Sequence, residues 1–118
     1  MNGISSEGID EQELNRQIVE CYSVRRPLNI PSIVKNYGKV LSHSAILACS
    51  VEDDGTYLID YMSDDMVYIR KVENCKKGEE FTYENLKYIY DDKKPQTPNK
   101  KVTLIKLANL MVKFMKNE

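Results

Sequence analysis

Three β-rich runs in tandem constrain this chain more than any other feature: VLSHSAILACSV from Val40, TYLIDYMS from Thr56 and MVYIRKV from Met66. Each is dense in β-branched and aromatic residues, and the acidic clusters EDDG and DD separate them as turns separate the strands of a meander. Asp54-Gly55 suits the positive φ that tight hairpins demand, and Ser63-Asp64-Asp65 reads as a second turn. Alternation puts His43, Ala45, Leu47 and Cys49 on one face of the first run and Ser44, Ile46 and Ala48 on the other. Both faces are largely apolar, which places this strand in the middle of its sheet.

The flanks read as helical. Asp10 followed by Glu13 forms a capping box, and Leu14, Ile18, Val19 and Tyr22 recur at helical spacing, so a helix is expected over residues 10–23, ending before Arg25, Arg26 and Pro27. RRPLNIPS is a proline-bearing connector, with Ser32 capping a short turn closed by Gly38. After the polar loop ENCKKGEE, the run FTYENLKYIY suits either element, and a strand is expected at 86–90. DDKKPQTPN is a linker. Val102, Ile105, Leu107, Leu110, Met111 and Phe114 then form one broad stripe on a helix over 98–116, capped by Thr97 with Pro98 first, or alternatively by Thr103. The expected fold class is α+β: an antiparallel three- to four-stranded β-meander packed by a C-terminal helix, with an N-terminal helix. Its strands are 40–51, 56–63 and 66–72. One domain covers 1–118, with 1–9 a flexible N-terminus and 91–97 the linker to the C-terminal helix.

At 118 residues the chain has room for one hydrophobic core, and 42% hydrophobic against 30% charged residues predicts a folded domain. No apolar run approaches the roughly 18 residues of a membrane helix, and MNGISSEGIDEQEL lacks a signal-peptide profile, so an intracellular, cytoplasmic location is expected. Cys21, Cys49 and Cys75 match neither a CxxC pair nor an even disulfide framework, and His43 is the sole histidine. No metal is expected, and without Walker or Rossmann glycines no cofactor.

SHSAIL, residues 42–47, followed by GTYLIDYMSDDMVYIRKV, residues 55–72, resembles the histidine-bearing hairpin of the permuted NlpC-type papain-like superfamily, which includes lecithin:retinol acyltransferase-like and poxviral members. The resemblance puts His43 on the catalytic base and Asp60 on the residue that orients it. It implies amide or thioester hydrolysis, or acyl transfer, through a cysteine thiolate. With a turn at Asp53 to Gly55, His43 and Asp60 share a sheet face but stand about four residues out of register, so a bulge is needed to join them. The nucleophile is missing: in the permuted order it opens the helix after the hairpin, where Asn99, Lys100, Lys101, Val102, Thr103 and Leu104 stand instead. Cys21 falls near the end of the first helix, Cys49 lies about 20 Å along the strand from His43, and nothing places Cys75 beside it. The plainer reading is a strand histidine satisfied by a neighbour, with Asp60 pairing Arg70 or Lys71 across the sheet.

The function expected is therefore a non-catalytic protein-interaction or adaptor role, in a virus or another AT-rich genome, a viral origin implying host-cell cytoplasm. The alternatives are a hydrolase using His43 and Asp60 and a nucleic-acid-binding module. Residues 1–20 carry five acids against one base and residues 93–118 seven lysines against one acid, so a head-to-tail homodimer is the expected partner arrangement. Met111, Phe114 and Met115 would form its apolar centre, with Lys106, Lys113 and Lys116 at the rim. Tyr57, Tyr61, Tyr68, Tyr83, Tyr88 and Tyr90 carry no nucleic-acid motif around them, and no nucleic-acid partner is expected.

Overall fold

The segment after Asp10 departs furthest from its helical reading. A computed structural model describes residues 3–27, 42–50, 55–62, 64–73 and 79–116, without the side chains of Pro27, Ser42, His43, Met115 and Lys116. Asp10 caps as expected, its Oδ1 accepting from the Glu13 amide at 2.8 Å, but the helix α1 spans only Glu11–Leu14 and stops at Asn15. Gln17–Pro27 continues as an eleven-residue strand, β2. A single helical turn is costly to nucleate and marginal alone. The same Ile18, Tyr22 and Val24 are buried to within 5% when the segment pairs with strands on both sides.

Those partners are β3 (Ser42–Ser50) on one side, and β7 (Leu86–Tyr90) with β8 (Val102–Thr103) on the other. β3 pairs with β4 (Thr56–Tyr61), and β4 with β5 (Val67–Lys71), all antiparallel. β1 (Ile4–Ser5) adds to β5 in parallel, and β6 (Phe81–Tyr83) closes a hairpin with β7. The sheet order is β1-β5-β4-β3-β2-β7-β6, with β8 off this path against β2. The expected three- to four-stranded meander with an N-terminal helix is thus overturned. The chain is mostly β, a mixed sheet curled into a half-barrel, with the C-terminal α2 (Leu104–Lys116) as its one substantial helix among the described residues.

α2 also starts later than the expected residue 98. Val102–Thr103 pair with β2, and Thr103 becomes the cap, its Oγ1 accepting from the Lys106 amide at 3.2 Å. Gln96, inside the expected linker, exchanges two 2.8 Å backbone hydrogen bonds with Cys21. Glu84 (φ 50°) and Asn85 (φ 67°) turn the β6–β7 hairpin, a two-residue loop with both centres left-handed. Gly55 does not take the positive φ expected of it; what favours glycine there is space, since a Cβ would stand 3.1 Å from the Tyr57 side chain and 3.2 Å from Arg16 Nη1. Of the expected connector at 25–32, residues 25–27 are instead the end of β2, held by pairing with β3 and β7; its remainder, the turn at 32–38, Asp53, Asp54, Ser63 and Cys75 lie outside the described residues.

Each face of the sheet builds its own core. Ala48, Tyr57, Ile59, Val67 and Ile69 face α2, where Leu104 and Ala108 are fully buried. Tyr22, Val24, Leu47, Leu58 and Tyr88 line the other face. That face is concave: Phe81 stacks on Tyr88 at 5.1 Å, and Arg70 of β5 lies 5.5 Å from the ring of Tyr83 on β6, so strands far apart in the sheet order meet across it.

Candidate functional site

Alternation along β4 sends Leu58 and Asp60 to the concave face and Tyr57 and Ile59 to the helix face. Asp60 is consequently 1% exposed, deep in a core where an unpaired carboxylate would be prohibitively costly. Two of the groups that answer it reach the same oxygen. The Tyr88 hydroxyl donates to Oδ2 at 3.2 Å, and Arg70 Nη1 lies 3.9 Å from the same atom. Arg26 Nε donates in turn to the Tyr88 hydroxyl at 3.2 Å. Arg70 is held over Tyr68 at 5.0 Å to the ring centroid as well as beside Tyr83. Burial, reinforced by the Asp60 carboxylate and opposed by Arg26, pushes the Tyr88 hydroxyl up to about 12. The result is a tyrosine that stays protonated and a carboxylate that meets its hydroxyl and Arg70, with Arg26 bonded to the far side of that hydroxyl.

His43 was read as the base oriented by Asp60. Ala45 lies opposite Asp60 across β3–β4 with no bulge, so His43 is two positions out of register rather than four. Its Cα partner on β2 is Arg26, and its side chain lies outside the described residues. The start of α2, where the permuted order would put a nucleophile, packs on the other face of the sheet against Ile59 and Ile69. The Thr103 hydroxyl there is occupied in capping the helix. Cys21 is in a strand rather than at a helix end, and burial raises its thiol to about 11, away from thiolate. Cys49 is 1% exposed in the concave core. The structure therefore brings Asp60 to Arg70, as the plainer reading expected, and assembles no cysteine with it among the described residues. Among those residues no three His, Cys, Asp or Glu side chains are grouped as metal ligands would be.

A second polar cluster ties α1 to the sheet. The buried Tyr57 donates through its hydroxyl to Glu13 Oε2 at 2.8 Å and accepts from Arg16 Nη1 at 2.9 Å, with Lys71 Nζ 3.4 Å from the same carboxylate. The Tyr57 bond, then Lys71 and Arg16, holds Glu13 below its usual 4.5 against the opposing effect of burial. Burial first, then Glu13, raises Tyr57 to about 12.

An apolar groove opens beside α2. Two adjoining hollows of about 480 and 330 Å³ share Ile46, Leu107 and Leu110. The larger reaches Cys21 and Val102 under a rim of Lys100, Lys101 and Lys106; the smaller runs to Met111 and Phe114. Leu110 is 51% exposed and Phe114 64%. Of the residues expected at an interface, Phe114, Lys106 and Lys113 are exposed and Met111 is half-buried, while the Met115 side chain is outside the described residues. No helix of the described residues is long and apolar enough to cross a membrane.

Sequence reasoning missed Tyr88 as a partner of Asp60 and Arg26 as the donor to Tyr88, and Cys21, Ile46 and Leu107 as groove walls. The first pair shares no local pattern with Asp60, 28 residues separating it from Tyr88. The walls were signalled only by the alternation of β3, whose Ile46 sits on the face opposite Leu47. Comparison with protein-family models, with curated proteins and with solved structures finds no match to this chain.

Proposed function

We propose that this chain is a non-catalytic protein-interaction domain, derived from the permuted papain-like scaffold, that receives a segment of another protein in the groove beside α2. The observation that carries the reading is the pair Leu110 and Phe114, large apolar side chains more than half exposed at the edge of a groove floored by Ile46 and Leu107. Covering one such side chain is worth roughly 1.5–3 kcal/mol, so two anchors suffice to seat a peptide. The ancestry is supported by His43 and Asp60 standing on adjacent antiparallel strands, two positions apart. Against retained thiol catalysis stand the engagement of Asp60 by Tyr88 and Arg70 and the position of the α2 start behind the sheet.

Selection of displayed random peptides on the immobilised full chain, with Leu110→Asn/Phe114→Ser as counter-target, tests the reading. Enriched peptides that lose binding to the variant support it. No enrichment, or enrichment indifferent to the variant, refutes it. A thioester-based cysteine probe should also fail to label the chain in a manner abolished by His43→Ala.

A further inference from the structure

Resting on that reading, we infer that the segment received is an acidic amphipathic helix of about three turns. The width of the uncovered strip supports a helix. Helices pack about 10 Å from neighbours and strands lie about 4.8 Å apart, so one helix covers about two strands. α2 lies over β5 and β4, with the short β1 at its margin, and makes its main sheet contacts there. The next two strands, β3 and β2, present Ile46 and Cys21 on the same face without a helix among the described residues lying across them. A second helix seated alongside α2 completes the layer, with the exposed flank of α2 as its wall. That wall belongs to α2, whose thirteen residues, Leu104–Lys116, run about 18 Å at 1.5 Å per residue, a little over three turns.

The charge of the partner follows from the rim. Lys100, Lys101 and Lys106 line the groove and no acidic residue among the described ones does; Lys113 is exposed on α2. α2 has no acid in its first turn, so the positive end of its dipole adds to the lysines at one end of the groove. The acid within β2, Glu20, stands opposite Cys49 on the concave side of the sheet, away from the face of Cys21, and Asp91, beside β2, is engaged by Arg25 and, at 2.6 Å, by the Ser23 hydroxyl. A partner helix therefore presents apolar residues at i, i+3, i+4 and i+7 to Ile46, Leu107, Leu110 and Phe114, and carboxylates toward the lysines.

The test uses the full chain and three fluorescein-labelled peptides about 15 residues long, the length at which isolated helices become stable enough to compare. One carries the apolar stripe with glutamates elsewhere, one the same stripe with lysines, and one the glutamate composition scrambled to break the stripe. Fluorescence anisotropy should show the acidic stripe bound about tenfold more tightly than the basic one, as three exposed ion pairs replace three like-charge contacts. The gap should shrink with added salt, and the scrambled peptide should not bind. Leu110→Asn/Phe114→Ser should abolish binding while leaving the melting temperature unchanged, and Lys100→Glu/Lys106→Glu should reverse the charge preference. Equal binding of the acidic and basic stripes, lost in Leu110→Asn/Phe114→Ser, overturns the inference and leaves the groove reading intact. Selected peptides that need Leu110 but bind only in extended form do the same. A concentration-dependent dimer by light scattering, dissociated by the same variant, shows a second copy in the groove and overturns it. So does an oligonucleotide that displaces the acidic peptide. Failure of every peptide to depend on Leu110 and Phe114 refutes both readings.

Discussion

Replacing Tyr88 by Phe removes one oxygen from the concave core and keeps the ring. The ring is fully buried, stacked 5.1 Å from Phe81, and no new volume has to be filled. What is lost is the bond to Asp60 Oδ2 at 3.2 Å and the acceptor for Arg26 Nε at 3.2 Å. A hydrogen bond to a charged group contributes about 1.5–3 kcal/mol, and the 3.2 Å lengths point to the lower part, about 2 kcal/mol. With a urea m-value of about 1.5 kcal/mol/M, the unfolding midpoint should fall by about 1.3 M at unchanged m. The variant should also alter the alkaline limb. The wild-type Tyr88 hydroxyl is raised in the folded state to about 12 from an ordinary 10. Its contribution to stability is fully present below pH 10 and is lost as pH rises through 12. Equilibrium urea unfolding at neutral pH and across that alkaline window measures both effects, and Tyr88→Phe should show a shallower decline above pH 10. A midpoint shift below about 0.3 M, the size of an ordinary surface substitution, together with an unchanged alkaline slope, would refute the account of Asp60 as held by Tyr88.

Glu13→Gln should flatten the acid limb. Glu13 is held below 4.5 in the folded state, so its contribution is present above that value and lost as pH falls through the depressed one; thermal melts across the acid range measure this. Gly55→Ala should cost about 1–3 kcal/mol by urea unfolding, because its Cβ would meet Tyr57 at 3.1 Å and Arg16 at 3.2 Å in a packed site. Glu84→Asn/Asn85→Gly should add about 1 kcal/mol, since both positions are left-handed and these residues adopt that conformation most readily. The melting temperature should rise by about 4 °C.

How a residue's neighbours are distributed along the chain decides what the sequence discloses. His43, Ala45, Leu47 and Cys49 alternate with Ser44, Ile46 and Ala48 within nine residues, so strand β3 and its two faces are written locally. The acidic turn at Asp64-Asp65 is local too, with Asp65 left-handed at φ 63° and the Asp64 carboxylate accepting from the Met66 amide. The stripe on α2 likewise declares a helix, and Thr103 is among the caps the sequence offers. Residues 17–27 show the limit. Leu14, Ile18 and Tyr22 fit a helical stripe, while Ile18, Tyr22 and Val24 serve equally as the buried side of a strand, and local propensity cannot separate the two. The strand prevails because β3, β7 and β8 occupy both of its edges, and the pairing of Ile18 with Val102 spans 84 residues of sequence, 102 minus 18. Asp60 was legible as a strand acid, but only the curl that brings β7 over β4 gives it Tyr88. The groove follows the same rule. The apolar side chains of α2 were visible in the sequence, and which of them stay uncovered was decided by the sheet, which is wider than a single helix can cover.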